Sequence, residues 1–459
     1  MSLKHHAQSL LALLAILYSS AVPAPVHAKT PPPISRRVVV ISLDGFPAYA
    51  LEDPRLPIPT LRKLAREGAA ATSMQPVNPT VTWPNHTAIV TGVDASEHQV
   101  LFNGLLTRSA GGAKPTIEPW RDKDVLVHRP TIYDVAHEAG LTTAQVDWVA
   151  IYGAKTITWQ FPEIPDPNGA IERELIAAGA VTADQLSKFE DSSQVWQDEI
   201  WTAAAVDILE KHTPNLLLLH LLTLDDTNHE YGPMSPASFT AMAYLDDKVK
   251  QILDTLQRTG LAKTTTVIVV SDHGFRSIQH KIHANVLLRE KGLQTGDPGT
   301  EKGEAWVVPD GGVAMVYMTN PDRKAALLPE LRSLFTGAEG IDRVYGVEDF
   351  PGLGLPIPSA SDQAPDLVLT AQSDYSFTGD PSQEFITHAA SGGTHGFLNT
   401  DPQMQAIFIA WGEGIPKGVR LGNISNLDVA PTIAGLLGLE MKQAKGHAIA
   451  LIFGPPIRP

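Results

Sequence analysis

Three apolar runs in this chain each lead to an aspartate. Arg37–Leu43 ends at Asp44, Asn215–Leu224 at Asp225, and Thr264–Val270 runs through Ser271 to Asp272. Two of the three have a histidine close by: His229 four positions after Asp225, and His273 directly after Asp272. A further imidazole, His395, lies in the glycine-flanked segment Gly392–Gly396. Three carboxylates and three imidazoles make a donor set for two divalent ions, one that suits zinc well and manganese less well. Each acid alone reads equally as a turn residue capping the next helix. The set of three, with imidazoles beside two of them, is what points to a metal centre. A four-residue spacing brings Asp225 and His229 onto one face of a helical turn. Asp226 is the rival to Asp225, and the spacing to His229 favours Asp225. Gly274 permits the backbone turn that Asp272 and His273 need to serve a common centre.

Hydrolytic chemistry at such a centre also needs a nucleophile. The segment Pro79–His86 holds Thr82, followed by Trp83 and Pro84. Proline is expected in the first turn of a helix, which puts Thr82 at a helix N-terminus, where free N–H groups and the dipole favour an alkoxide or a bound phosphate. A plain capping threonine is the simpler reading of that position. Of the other histidines, His86 reads as a local hydrogen-bonding partner beneath this turn. His98, His220, His283 and His388 read as structural, with His388 the nearest of them in sequence to His395.

The elements that must position these residues are legible as periodicity. Continuous β-branched or leucine-rich runs are buried parallel strands with loops at their carboxyl ends, where α/β proteins bind ligands. Between them, Thr60–Glu67, Pro130–Glu138, Gln194–His212, Ser235–Thr259 and Asn426–Leu437 carry helical spacing, and Gln405–Trp411 is a further strand. This alternation predicts an α/β fold with a mostly parallel sheet flanked by helices. Residues 101–195 lack clear periodicity, and 303–380 contain a possible smaller α+β unit; both are taken as insertions around the mouth of the site in a catalytic domain spanning 37–459.

Composition limits the function. The 459 residues include no cysteine, which excludes disulfides, thiolate metal sites and cysteine nucleophiles. With 35 Lys+Arg against 50 Asp+Glu the net charge is −15, which argues against polymeric nucleic acid as the main partner. Phosphate chemistry here must bring its own positive charge. Lys4, the apolar run Leu10–Tyr18 and the small residues up to Ala28 read as an export signal, residues 1–28, cleaved after Ala28 or alternatively after Ala24. The run is too short for a stable transmembrane anchor. A proline-rich lead-in, 29–36, follows. A periplasmic or secreted protein is the expectation.

Taken together, Asp44-Gly45, Thr82-Trp-Pro-Asn-His86 with Thr91-Gly92, Asn103, Asp225-x-x-x-His229 with Tyr231-Gly-Pro233, Ser271-Asp-His-Gly274 and Thr394-His-Gly396 resemble the nucleotide pyrophosphatase/phosphodiesterase family of the alkaline phosphatase superfamily. The blocks follow family order across nearly the whole chain after the leader. The resemblance implies an alkaline-phosphatase-like fold and two zinc ions per chain. One would be held by Asp225, His229 and His395, the other by Asp44, Asp272, His273 and the Thr82 hydroxyl. It implies that Thr82 forms a phospho-threonine, that Asn103 donates to a non-bridging phosphate oxygen, and that Trp83 lies against a nucleobase. The implied substrates are small phosphodiesters or nucleotides. Phosphonates, phospholipid headgroup diesters, phosphomonoesters and a non-catalytic metal-binding homologue are the alternatives. Thr87, Gln99 and Asn228 depart from the family pattern, and none of the three is a ligand.

Overall fold

The computed structural model describes residues 37–108, 111–297 and 300–453. The expected leader and lead-in, 1–28 and 29–36, lie outside the described residues.

Eight strands form the main sheet: β1 Arg37–Leu43, β2 Ala69–Gln75, β3 Thr143–Val146, β4 Trp159–Phe161, β5 Leu216–Leu221, β6 Thr265–Val270, β7 Phe408–Gly412 and β8 Val419–Ser425. Their order across the sheet is β8-β2-β7-β6-β1-β5-β3-β4. All neighbours run parallel except β7, which is antiparallel to both β2 and β6. The three central strands β6, β1 and β5 are apolar on both faces because helices cover both faces. On one face Val39, Ile41, Leu217, Leu219 and Val269 pack against helices α1 Pro59–Glu67, α3 Gln194–Lys211 and α5 Pro236–Arg258. On the other, Val38, Val40, Leu216, Leu218 and Ile268 meet α2 Thr82–Thr91 and α6 Val429–Leu436.

Two expectations are corrected here. The run Asn215–Leu224 is not one strand: β5 stops at Leu221, and helix α4 Thr223–Tyr231 begins almost at once. The Asp198 carboxylate, from α3, takes the N–H groups of Leu222 and Thr223 at 3.0 and 2.9 Å, capping the new helix from outside. Residues 101–195 are not wholly an insertion, because β3 and β4 within them complete one edge of the main sheet. Those strands are only 4 and 3 residues long, too short to show a period.

Within 303–380, strands Ala305–Asp310, Val313–Met318, Leu367–Ala371 and Ile341–Tyr345 form a separate antiparallel sheet. It shares an apolar core with the helix Lys324–Phe335. Its hairpin reaches the main domain, where the Gly312 N–H donates to the His395 carbonyl at 2.8 Å. Among the described residues, no helix is long and apolar enough to cross a membrane.

Candidate active site

The carboxyl ends of β1 and β6 place Asp44, Asp272 and His273 side by side, and all three are buried. His273 Nε2 lies 3.1 Å from Asp272 Oδ2 and 3.5 Å from Asp44 Oδ1. A second group, Asp225, His229 and His395, forms beside it from the first turns of α4 and the loop after Gly392. In that group His229 Nε2 is 3.4 Å from one Asp225 oxygen, and His395 Nε2 is 3.8 Å from the other. The rings of His273 and His395 stack at 3.9 Å and join the two groups into one centre. Asp226, the rival ligand, belongs to neither group and lines a cavity with Glu163 and Glu190.

Two glycines allow these loops to close on each other. Gly45 has φ +67°, and a Cβ there would meet the Phe275 ring at 2.9 Å and the Asp225 Cα at 3.3 Å. Gly392 has φ +117°, and a Cβ would lie 2.5 Å from the His229 carbonyl. Asn228 ties the same loops together by donating to the Gly45 carbonyl at 3.4 Å.

Each imidazole of the two groups has one nitrogen against a backbone carbonyl. Nδ1 of His229, His273 and His395 lies 3.3, 3.1 and 3.0 Å from the carbonyls of Gly393, Gly274 and Thr80. That contact orients each ring and turns Nε2 toward the carboxylates, an arrangement typical of metal-binding histidines. Burial, then the neighbouring His273 and His229, hold His395 well below its ordinary range, so its ring is neutral and its lone pair is free. Burial, then the carboxylates of Asp272 and Asp225, push Asp44 well above the usual carboxylate range. Asp44 Oδ1, Asp225 Oδ1, Asp272 Oδ2 and His273 Nε2 are buried with no hydrogen-bond partner among the described residues. Orphaned acceptors of this kind are costly. Divalent cations would satisfy them, and a mixed carboxylate and imidazole set fits zinc.

Thr82 is the first residue of α2, directly after Val81. Its turn is bound to both groups: His86 Nδ1 lies 2.9 Å from the Thr82 carbonyl and 3.7 Å from Asp272 Oδ2, while the Thr80 carbonyl meets His395. The hydroxyls of Thr87 and Thr91 bond to carbonyls one turn back, at 2.7 Å each. Thr82 has no preceding turn to bond to, and its hydroxyl has no partner among the described residues. Asn103 is exposed, and its Oδ1 accepts the Trp83 N–H at 3.0 Å, which fixes the amide next to Thr82. Trp83 packs with Val100, Leu126, Val127 and Val149, and also lines a cavity of about 510 Å3. Around that cavity stand Trp120, Trp148, Tyr152, Gln145, Asp122 and Glu163. A roomier groove of about 630 Å3, lined by Tyr49, Gln75 and Asn399 among others, includes none of the expected site residues.

Sequence reasoning missed Asp147 and set His220 aside as structural. His220 is wholly buried, with Nε2 2.9 Å from Asp44 Oδ2 and Nδ1 3.1 Å from Asp147 Oδ2. Burial opposes its charge, but Asp147 and Asp44 on either side outweigh this and hold His220 well above its ordinary range. The one available signal was a lone imidazole in the run Leu-Leu-Leu-Leu-His-Leu. Nothing local marked its partners. His98 and His283 are buried away from the two groups, and His388 lies opposite His280 in a small sheet nearby.

Comparison with known proteins gives the chain a family. The sequence profile of the type I phosphodiesterase / nucleotide pyrophosphatase family matches residues 38–398. Rat ectonucleotide pyrophosphatase/phosphodiesterase family member 7 is 25% identical, over 96% of this chain and 92% of that protein. Human family member 1 is 24% identical over 90% of this chain, which spans only 41% of that longer protein. Among solved structures, an inactive variant of murine ectonucleotide pyrophosphatase/phosphodiesterase 5 in complex with AMP superposes with a TM-score of 0.69 at 21% identity, covering 90% of this chain and 97% of that one. By the profile match across most of its length and by its alkaline-phosphatase-like α/β fold, the chain belongs to the type I phosphodiesterase / nucleotide pyrophosphatase family.

Proposed function

We propose that this chain is an exported, two-zinc phosphodiesterase that hydrolyses small diesters or phosphoanhydrides, nucleotides among them, through a phospho-threonine on Thr82. The observation that carries the reading is the meeting of two acid–imidazole groups, rich in orphaned buried acceptors, with an unpartnered threonine hydroxyl on a helix N-terminus. Asp44, Asp272, His273 and the Thr82 hydroxyl would hold one ion, and Asp225, His229 and His395 the other. Such ions supply positive charge for the phosphate oxygens and lower the pKa of the coordinated hydroxyl.

The chain's own groups account for the rest. The Thr82 oxygen forms a bond to phosphorus as the bond to the leaving oxygen breaks in line, and the leaving group departs as an alcohol or phosphate. Water then cleaves the phospho-threonine and returns the free hydroxyl. The Asn103 amide, held by its contact with the Trp83 N–H, would donate to a non-bridging oxygen as charge builds there. Trp83 would offer a face to the esterified group, with Trp120 and Tyr152 across the same cavity.

A diester should be preferred to a monoester, because spare cations are scarce. Arg121 lines the cavity but pairs with Glu118 at 2.9 Å, and Lys123 is bound to Asp134 at 2.7 Å. The test is catalytic efficiency of the zinc-loaded protein on bis-p-nitrophenyl phosphate and a nucleotide diester against p-nitrophenyl phosphate. Diester preference is expected, with near-complete loss in Thr82→Ala and retention in Thr82→Ser. Monoester preference, or normal turnover by Thr82→Ala, would overturn the assignment.

A second reading is favoured by the cavity's carboxylates. Asp122 and Glu163 stand among aromatic faces, a combination that receives organic cations. A phosphocholine-type headgroup diester would then be the better substrate, and p-nitrophenyl phosphorylcholine in the same panel separates the two.

A further inference from the structure

His220 lies behind the site, on the side of Asp44 away from the orphaned acceptors. It is the single polar residue of β5, and its ring reaches the face of the sheet that also carries His86, 4.4 Å away centroid to centroid. Both ring nitrogens meet oxygen. Nε2 is 2.9 Å from Asp44 Oδ2, and Nδ1 is 3.0 Å from the Asp147 carbonyl and 3.1 Å from its carboxylate. Asp147 is itself fully buried and has a left-handed backbone, φ +55°, which a non-glycine residue rarely adopts. Burying a carboxylate–imidazole–carboxylate chain in a strand of leucines is expensive, and a well-packed apolar residue would usually serve stability as well or better. An arrangement kept at that cost calls for a use beyond packing.

We propose that His220, braced by Asp147, is a positioning residue that commits Asp44 Oδ2 and so presents Oδ1 alone to the centre. Asp44 thereby becomes a one-oxygen ligand with a fixed orientation, and its Oδ1 is the atom that lies toward His273 and has no hydrogen-bond partner among the described residues. Without the brace, the carboxylate is free to rotate or to chelate through both oxygens, and the neighbouring groups lose their common geometry. The inference rests on the reading of Asp44 as a metal ligand. Loss of an outer-shell partner of this kind typically lowers metal affinity by roughly 10–100-fold.

The experiment is zinc affinity and stoichiometry of refilled apo-protein, measured against a chromogenic chelator, for wild type, Asp44→Asn, His220→Leu, His220→Gln and Asp147→Asn. One of the two sites should weaken by roughly 10–100-fold in His220→Leu, less in Asp147→Asn, and recover substantially in His220→Gln, whose amide can still donate to Asp44. If His220→Leu fails to fold, Asp147→Asn reads the charge of the brace alone, because the hydrogen bond between His220 Nδ1 and the Asp147 backbone carbonyl is kept. Weakening by Asp44→Asn, with none by His220→Leu or Asp147→Asn, overturns the positioning role and leaves the ligand reading intact. No effect of Asp44→Asn itself overturns the ligand reading first. A fall in thermal stability without any change in zinc affinity would make His220 a packing residue only.

Discussion

The two acid–imidazole groups are alike in composition and unlike in setting. Asp44, Asp272 and His273 come from the ends of adjacent parallel strands, and their side chains are at most 1% exposed. Asp225, His229 and His395 come from a helix start and a glycine-rich loop, and the His229 side chain is 43% exposed. The first group is held by sheet register, with β1 hydrogen-bonded to β5 on one side and β6 on the other. The second is held by Asp198 capping α4, by Gly392 packing against it and by the Phe275 ring between them. A ligand set on strand ends opens only with the sheet; one on a loop opens with a local movement of much lower cost. The expected consequence is one tightly kept ion and one that exchanges with solvent.

Chelation gives the largest effect and the first attempt to break the comparison. Prolonged treatment should abolish activity, zinc should restore it, and elemental analysis should find about two zinc per chain before treatment. Release should be biphasic, one equivalent leaving well ahead of the other. His229→Asn should abolish the fast phase, whereas Asp44→Asn should abolish the slow one. A single release phase, or the slow phase lost in His229→Asn, would erase the distinction between the groups.

Asn103→Ala comes next and probes the substrate side of the centre. Turnover should fall by roughly a hundredfold, with both release phases unchanged, if the amide meets the developing charge as proposed and holds no ion. A matching loss of zinc would show that Asn103 supports the centre rather than the phosphate.

The smallest effect is expected at the cavity. Stacking on an aromatic is worth roughly 1–3 kcal/mol, so Trp83→Ala should raise the Michaelis constant of a nucleotide diester by about fivefold or more. A p-nitrophenyl diester without a base should be affected less. Equal effects on both would assign Trp83 to the core it shares with Val100 and Leu126.

The sequence determined those parts of this protein that are encoded by near neighbours. β1 and β6 announce themselves because strands covered on both faces must be apolar throughout, and the acids at their ends break that rule visibly. Pro84 in the first turn marks where α2 begins and so exposes Thr82, and the spacing of Asp225 to His229 is a property of one helical turn. Other decisions belonged to the tertiary structure alone. β3 and β4 draw their identity from pairing with β5, since 4 and 3 residues carry no readable period. That Asp225 rather than Asp226 stands beside His229 and His395 follows from where α4 begins, and Asp198, a residue of another helix, caps that start. The cavity beside Trp83 is assembled from loops around 120, 150 and 162 that share no pattern. The Asp44–His220–Asp147 chain joins positions 176 and 73 residues apart in sequence. A buried hydrogen bond records which groups the fold brings together, and the residue types along one segment do not hold that information.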